Sequence, residues 1–203
     1  MPTANTEQTT SSPLPFGMEI GIAAIAWCLA WVIQLNLPAL DYLPGVALIF
    51  LPAGARTLAV LVFGLRGALG IGIGSFITYY LWLFDAPDKS EYFILSGVLL
   101  ALASAFSAYA MMRFVIHRYA IQTHLADLRY PHILLIVISQ GLLSATLHQI
   151  IYHLGTVFSI YAALPLHETL FAWLSMAIGD IVGSMLLLYG VALVARAITY
   201  NRA

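Results

Sequence analysis

Charge is the scarcest property of this chain. Asp, Glu, Lys and Arg make up 8% of its 203 residues, against about 25% in a soluble domain, which excludes an ordinary soluble fold. The formal net charge of −1 lacks the basic excess that nucleic acid requires of a partner. There is a single cysteine, Cys28, so no disulfide closes within the chain. It lies in an apolar run, where a thiol behaves as a small hydrophobe. No Cys/His cluster of zinc type occurs. No nucleophile elbow, paired-carboxylate site or His-Glu metal motif occurs either, so the expectation is a protein that is not an enzyme and carries no cofactor or metal. Period-two alternation is missing from the apolar runs, which argues against a membrane β-barrel. The first fifteen residues contain no Lys or Arg, so there is no basic region of a secretory signal.

What the chain has in abundance is long apolar sequence, 62% hydrophobic with a mean hydropathy of +0.93. The hydropathy pattern predicts an all-α polytopic membrane bundle of about six transmembrane helices, near 18–37, 44–64, 67–85, 91–115, 132–160 and 167–195, each able to supply the roughly 20 residues that cross the hydrocarbon. Residues 1–16, rich in Pro, Ser and Thr, are expected as a disordered tail, and 17–203 as one membrane domain. Arg66, then Arg113, Arg118 and Arg129, then Arg196 and Arg202 fall at one side of the bundle, while Lys89 is the only basic residue at the other. The positive-inside rule makes the arginine side cytoplasmic, with both termini there, in a bacterial inner (plasma) membrane. Between spans four and five, Ile121, Leu125 and Leu128 have helical spacing, which suits either a short interfacial helix or a solvated connector.

Two ionisable residues interrupt the apolar runs. Arg56 lies in Val46–Phe63 and Asp180 in Trp173–Tyr189. A charge at mid-membrane costs roughly 2.5–3.5 kcal/mol on the insertion scale, so each needs a partner, a wet cavity or a function. Spans two and six enter from the same side, which gives the two residues compatible depths and predicts an ion pair. Span five adds a polar stripe of Gln140, Ser144, His148, Gln149, Tyr152 and His153, expected to face the interior. From these the candidate ligand-binding or polar centre is Arg56, Asp180, His148, Gln149 and Tyr152. His148 and His153 are five apart, not the three or four that aligns two ligands on one helix face. Gly67 to Gly74 and Gly179-Asp-Ile-Val-Gly183 have the small-xxx-small spacing of closely packed membrane helices.

Leu51–Ser75, with its Pro-Ala-Gly turn, apolar run, basic residue and glycine-rich start of the next span, resembles the early signature of MASE1-type integral membrane sensory domains. Trp173–Gly183 resembles the same family's Trp…Gly-Asp-x-x-Gly helix. The resemblance implies a sensor or signalling protein that responds to a small ligand. Members usually have more spans and a fused output domain, and an apolar residue where Arg56 stands, so a signal here is expected to pass to a separate protein partner. Two alternatives stand beside it: a substrate-binding subunit of an energy-coupling-factor vitamin transporter, suggested by Ala26-x-x-x-Ala30, and a structural subunit of a membrane complex.

Overall fold

The computed structural model describes residues 14–37, 41–43, 46–82, 91–121, 128–158 and 163–200. The described residues form α1 (Phe16–Leu35), β1 (Asp41–Leu43), β2 (Val46–Ala47), α2 (Leu51–Phe63), α3 (Leu65–Trp82), α4 (Glu91–Arg118), α5 (Tyr130–Val157) and α6 (Leu166–Tyr200). Four helices, α1, α4 from Ile94, α5 and α6, are long and apolar enough to cross a membrane, and they mark a multi-pass membrane protein. The expected tail falls largely in 1–13, and most of the 121–129 connector in 122–127, outside the described residues; Phe16 already belongs to α1.

Long helices that are neighbours in sequence run antiparallel. Tyr79 of α3 meets Ser96 of α4 at 2.9 Å, Ser104 of α4 approaches His148 of α5 at 3.5 Å, and Gln140 of α5 reaches Ser184 of α6 at 3.0 Å. α1 and α3 are parallel: Glu19 binds Arg66 at 2.8 Å near their starts, and Trp27 donates to Thr78 at 3.0 Å further along. Gly70 and Gly74 of α3 admit the Ile20 and Ala24 carbonyls and Trp27 of α1 against their bare Cα atoms.

The second segment departs from the sequence expectation. Residues 44–64 were expected as one spanning helix, but Val46–Ala47 is a strand paired antiparallel to Asp41–Leu43, and the helix begins only at Leu51. Its 13 residues cover about 20 Å, short of a hydrocarbon core of about 30 Å. Ahead of it, Ala47 is buried and Ile49 and Phe50 are half-buried, while Leu48 is exposed; the backbone of this stretch lies against α6, at Gly179 and Gly183. Non-helical backbone is tolerated at membrane depth only in such surroundings or beside a wet cavity.

α2 is consequently the centre of the molecule. Every residue from Pro52 to Val60 except Leu58 is buried. On one side Ala59 packs with Ala23, Trp27 and Ile71, and further along Val60 joins Ala68, Ala108, Met112, Val115 and Ile136. These apolar groups join α2 to α1, α3, α4 and α5. The helix stops at Gly64, whose φ of +59° and ψ of −128° are open to glycine and little else. That single residue turns the chain into α3.

Candidate functional site

The start of α2 is docked along α6 in a parallel register. Ala47 lies against Gly179, Phe50 against Gly183, and Gly54 against Leu187. The carbonyls of Ala47 and Phe50 occupy the space where Cβ atoms of Gly179 and Gly183 would be, and the Phe50 N–H donates to the Gly179 carbonyl at 3.0 Å. The two glycines therefore serve to admit an extended backbone, which is closer work than helix-on-helix packing.

The residue after each glycine faces the other way, into a polar seam of α2, α5 and α6. Arg56 donates from Nη2 to Asp180 Oδ2 at 2.6 Å and from Nη1 to Ser144 Oγ at 3.0 Å. One turn along, Gln140 Nε2 donates to Thr57 Oγ1 and to Ser184 Oγ, and the two hydroxyls lie 3.0 Å apart. Each tier takes one residue from each helix: Arg56, Ser144 and Asp180, then Thr57, Gln140 and Ser184. Helical side chains lean toward their own N-terminus, so the long Arg56 side chain reaches back to Asp180 while its short neighbour Thr57 meets Ser184 directly.

The second tier admits one arrangement of its protons. The Thr57 hydroxyl spends its one proton on the Ala53 carbonyl at 2.8 Å, so Ser184 must donate to Thr57. Neither hydroxyl then has a proton left for Gln140, whose NH2 must supply both contacts. Its Oε1 consequently points elsewhere. Gln140 Oε1 and Arg56 Nε are both buried without a hydrogen-bond partner, in residues 0% and 1% exposed. One is an acceptor and the other a donor, so the seam has polar capacity of both kinds to spare.

The expected ion pair of Arg56 with Asp180 is thus present as a contact, and the remaining candidates lie at varying distances from it. His148 joins the seam at its edge: Nδ1 lies 2.8 Å from the Ser144 carbonyl and therefore carries a proton, while Nε2 faces Ser104. Tyr152 follows with its ring edge-on to His148, centroids 6.3 Å apart. Gln149 is directed to Met176 Sδ at 3.5 Å on α6 and is not joined to Arg56 or Asp180 by a hydrogen bond. His153 is exposed. Among the described residues no group of three His, Cys, Asp or Glu side chains is placed to hold a metal.

Thr57 and Ser184 were absent from the sequence expectation, and Gln140 and Ser144 were seen only as part of the stripe. The signal for Gln140 was available: Gln140, Ser144 and His148 recur every four residues and share one face. Thr57 and Ser184 offered none, because single hydroxyls are routine in membrane helices, satisfied by the carbonyl one turn back.

The start of α2 does not offer an anion site. Leu51 N–H donates to Gln34 Oε1 at 3.1 Å, Pro52 has no N–H, and Ala53 N–H returns to the Phe50 carbonyl at 3.1 Å. The free donors that make helix starts attractive to anions are used internally.

Geometry and composition together define the class: a multi-pass helical membrane protein built around a short, buried central helix. The chain matches no protein-family model, no curated protein and no solved structure.

Proposed function

We propose that the protein is a non-enzymatic sensory subunit of the bacterial inner membrane, with both termini cytoplasmic. In this reading α2 is the responsive element. A small ligand, or a signal from a neighbouring membrane protein, acts on the α2–α5–α6 seam, and the displacement of α2 passes to a separate partner. The observation that carries the proposal is Arg56, 1% exposed, charge-paired with Asp180 on a helix too short to cross the bilayer. A buried ion pair is a poor device for stability, since apolar side chains of similar volume commonly serve as well or better. Ionisable residues inside membranes mark functional sites by default. The likeness of Leu51–Ser75 and Trp173–Gly183 to MASE1-type sensory domains points the same way. Against the transporter-subunit alternative, Ala30 is 6% exposed and belongs to the inward face of α1, with Ala26 half-buried one turn before it.

The test replaces the pair by apolar residues. Arg56→Met with Asp180→Leu should fold with nearly unchanged thermal stability in mild detergent, yet lose the small molecule or protein that mass spectrometry finds with the wild-type protein. A wild-type protein that carries neither, or a double variant that retains both, overturns the sensory reading.

A further inference from the structure

The corner where α4 ends and α5 begins has its own chemistry, independent of the seam. α4 closes with Ile121 N–H bonded to the Ile116 carbonyl and Ala120 N–H to the His117 carbonyl, Ala120 taking φ +48°. This is the double bond pattern of a reversed helix end, and Ile116, Ile121 and Leu128 anchor it on the apolar core. The reversal sets a chain of contacts between the two helix ends. The Arg118 guanidinium lies 5.8 Å from the Tyr119 ring centroid, the Tyr119 ring lies 5.3 Å from that of His132, and Arg129 N–H donates to His132 Nδ1 at 3.2 Å.

Arg118 and Arg129 are both exposed, and among the described residues neither joins an ion pair. Over 113–132 the sequence sets three arginines against one carboxylate, Asp127, which lies outside the described residues. One turn inward from Arg118, on the same face of α4, Phe114 is 58% exposed, and Tyr130 on α5 is 66% exposed. The corner therefore presents cations and two exposed phenols, Tyr119 and Tyr130, with the outward Phe114 ring one turn further in, at the ends of two membrane-length helices.

We propose that this corner binds the headgroup phosphate of an anionic phospholipid, with Arg118 and Arg129 on the phosphate, Tyr119 between them, Tyr130 at headgroup level beside Arg129, and the acyl chains along Phe114. Basic residues next to a spanning helix attract anionic headgroups, and the apolar surface directly below favours a lipid over an acidic protein segment. The experiment is native mass spectrometry of the full chain in detergent, titrated with phosphatidylglycerol or with phosphatidylcholine of the same acyl chains. Wild type should prefer phosphatidylglycerol on the order of tenfold. Arg118→Gln with Arg129→Gln should abolish that preference, Arg118→Lys with Arg129→Lys should keep most of it, and Arg196→Gln, at the end of α6, should leave it intact. The lysine pair keeps the test readable if the glutamine pair fails to fold. Equal binding of the two lipids by wild type overturns the proposal, as does an unchanged preference in the glutamine variant. So does displacement of phosphatidylglycerol by millimolar inorganic phosphate, or capture of protein in place of lipid by a photo-crosslinker at position 119 in native membranes.

Discussion

Two parallel helix seams in this molecule use the same small-residue spacing for different ends. In the α1–α3 seam, Gly70 and Gly74 admit another helix, with Ala23, Ala24 and Trp27 filling the contact, a buried Trp27–Thr78 hydrogen bond further along and the part-exposed Glu19–Arg66 ion pair near the helix starts. In the α2–α6 seam, Gly179 and Gly183 admit an extended backbone, and the residues beside them carry a charge and a hydroxyl into the protein. A helix arrives with its backbone satisfied and can shift sideways at little cost. An extended strand arrives with carbonyls and N–H groups still to be placed, so its position is fixed by the hydrogen bonds it must make. The spacing sets how near a neighbour can come; the neighbour's own polar needs set how tightly it is held.

Substitutions should separate the seams by size of effect, read by unfolding in detergent. Asp180→Ala, which strands the Arg56 charge in a buried site, should cost about 3–5 kcal/mol, and Arg56→Met in the same chain should recover most of it. A single Asp180→Ala with near wild-type stability would show that the α2–α6 seam does not depend on its charge. Next come the glycines. Gly183→Ala drives a methyl into the Phe50 backbone and should cost about 3 kcal/mol, at the upper end of overpacking. Gly74→Ala meets the Ala24 carbonyl at 2.8 Å and Trp27 at 3.0 Å, a lesser overlap than at Gly183 that still requires α1 to move, and part of its cost is offset by alanine's helix preference; it should lose about 2 kcal/mol. Equal costs would erase the distinction between the seams.

Gln34→Leu removes the acceptor for Leu51 N–H at the half-buried start of α2 and should cost about 2 kcal/mol, with faster amide exchange confined to Leu51 and its neighbours. The smallest effect belongs to the other seam. Trp27→Phe deletes one hydrogen bond but leaves Thr78 bonded to the Gly74 and Ser75 carbonyls, so the loss should be about 1 kcal/mol.

The helices and the two anomalous charges were legible in the sequence because both follow from the price of polarity in hydrocarbon. Phe16–Leu35 and Tyr130–Val157 lie within two or three residues of their expected bounds. The strand at Val46–Ala47 was not legible as such: a short apolar extended run and a short apolar stretch of helix have the same composition, and periodicity cannot separate them over a few residues. Pro52, within the first two positions of α2, was the available marker of where the helix starts. The choice of Gln149 over Gln140 has a similar cause. Composition shows that a face is polar, whereas which polar residues enter the seam beside Arg56 and Asp180 depends on the register of α5 against α6, where Gly141 packs on Ala177 and Asp180.

The shortness of α2 also bears on how the protein is made. A 13-residue helix carrying an arginine is a weak candidate to enter the bilayer by itself, and its countercharge lies 124 residues downstream. At about 5–20 residues per second of synthesis, Arg56 waits roughly 6–25 seconds for Asp180 to emerge. During that interval the elements that pack on α2 and are already made, α1, α3, α4 and finally α5 with its Ser144 for Arg56, form the cradle in which the α2–α6 seam is completed last.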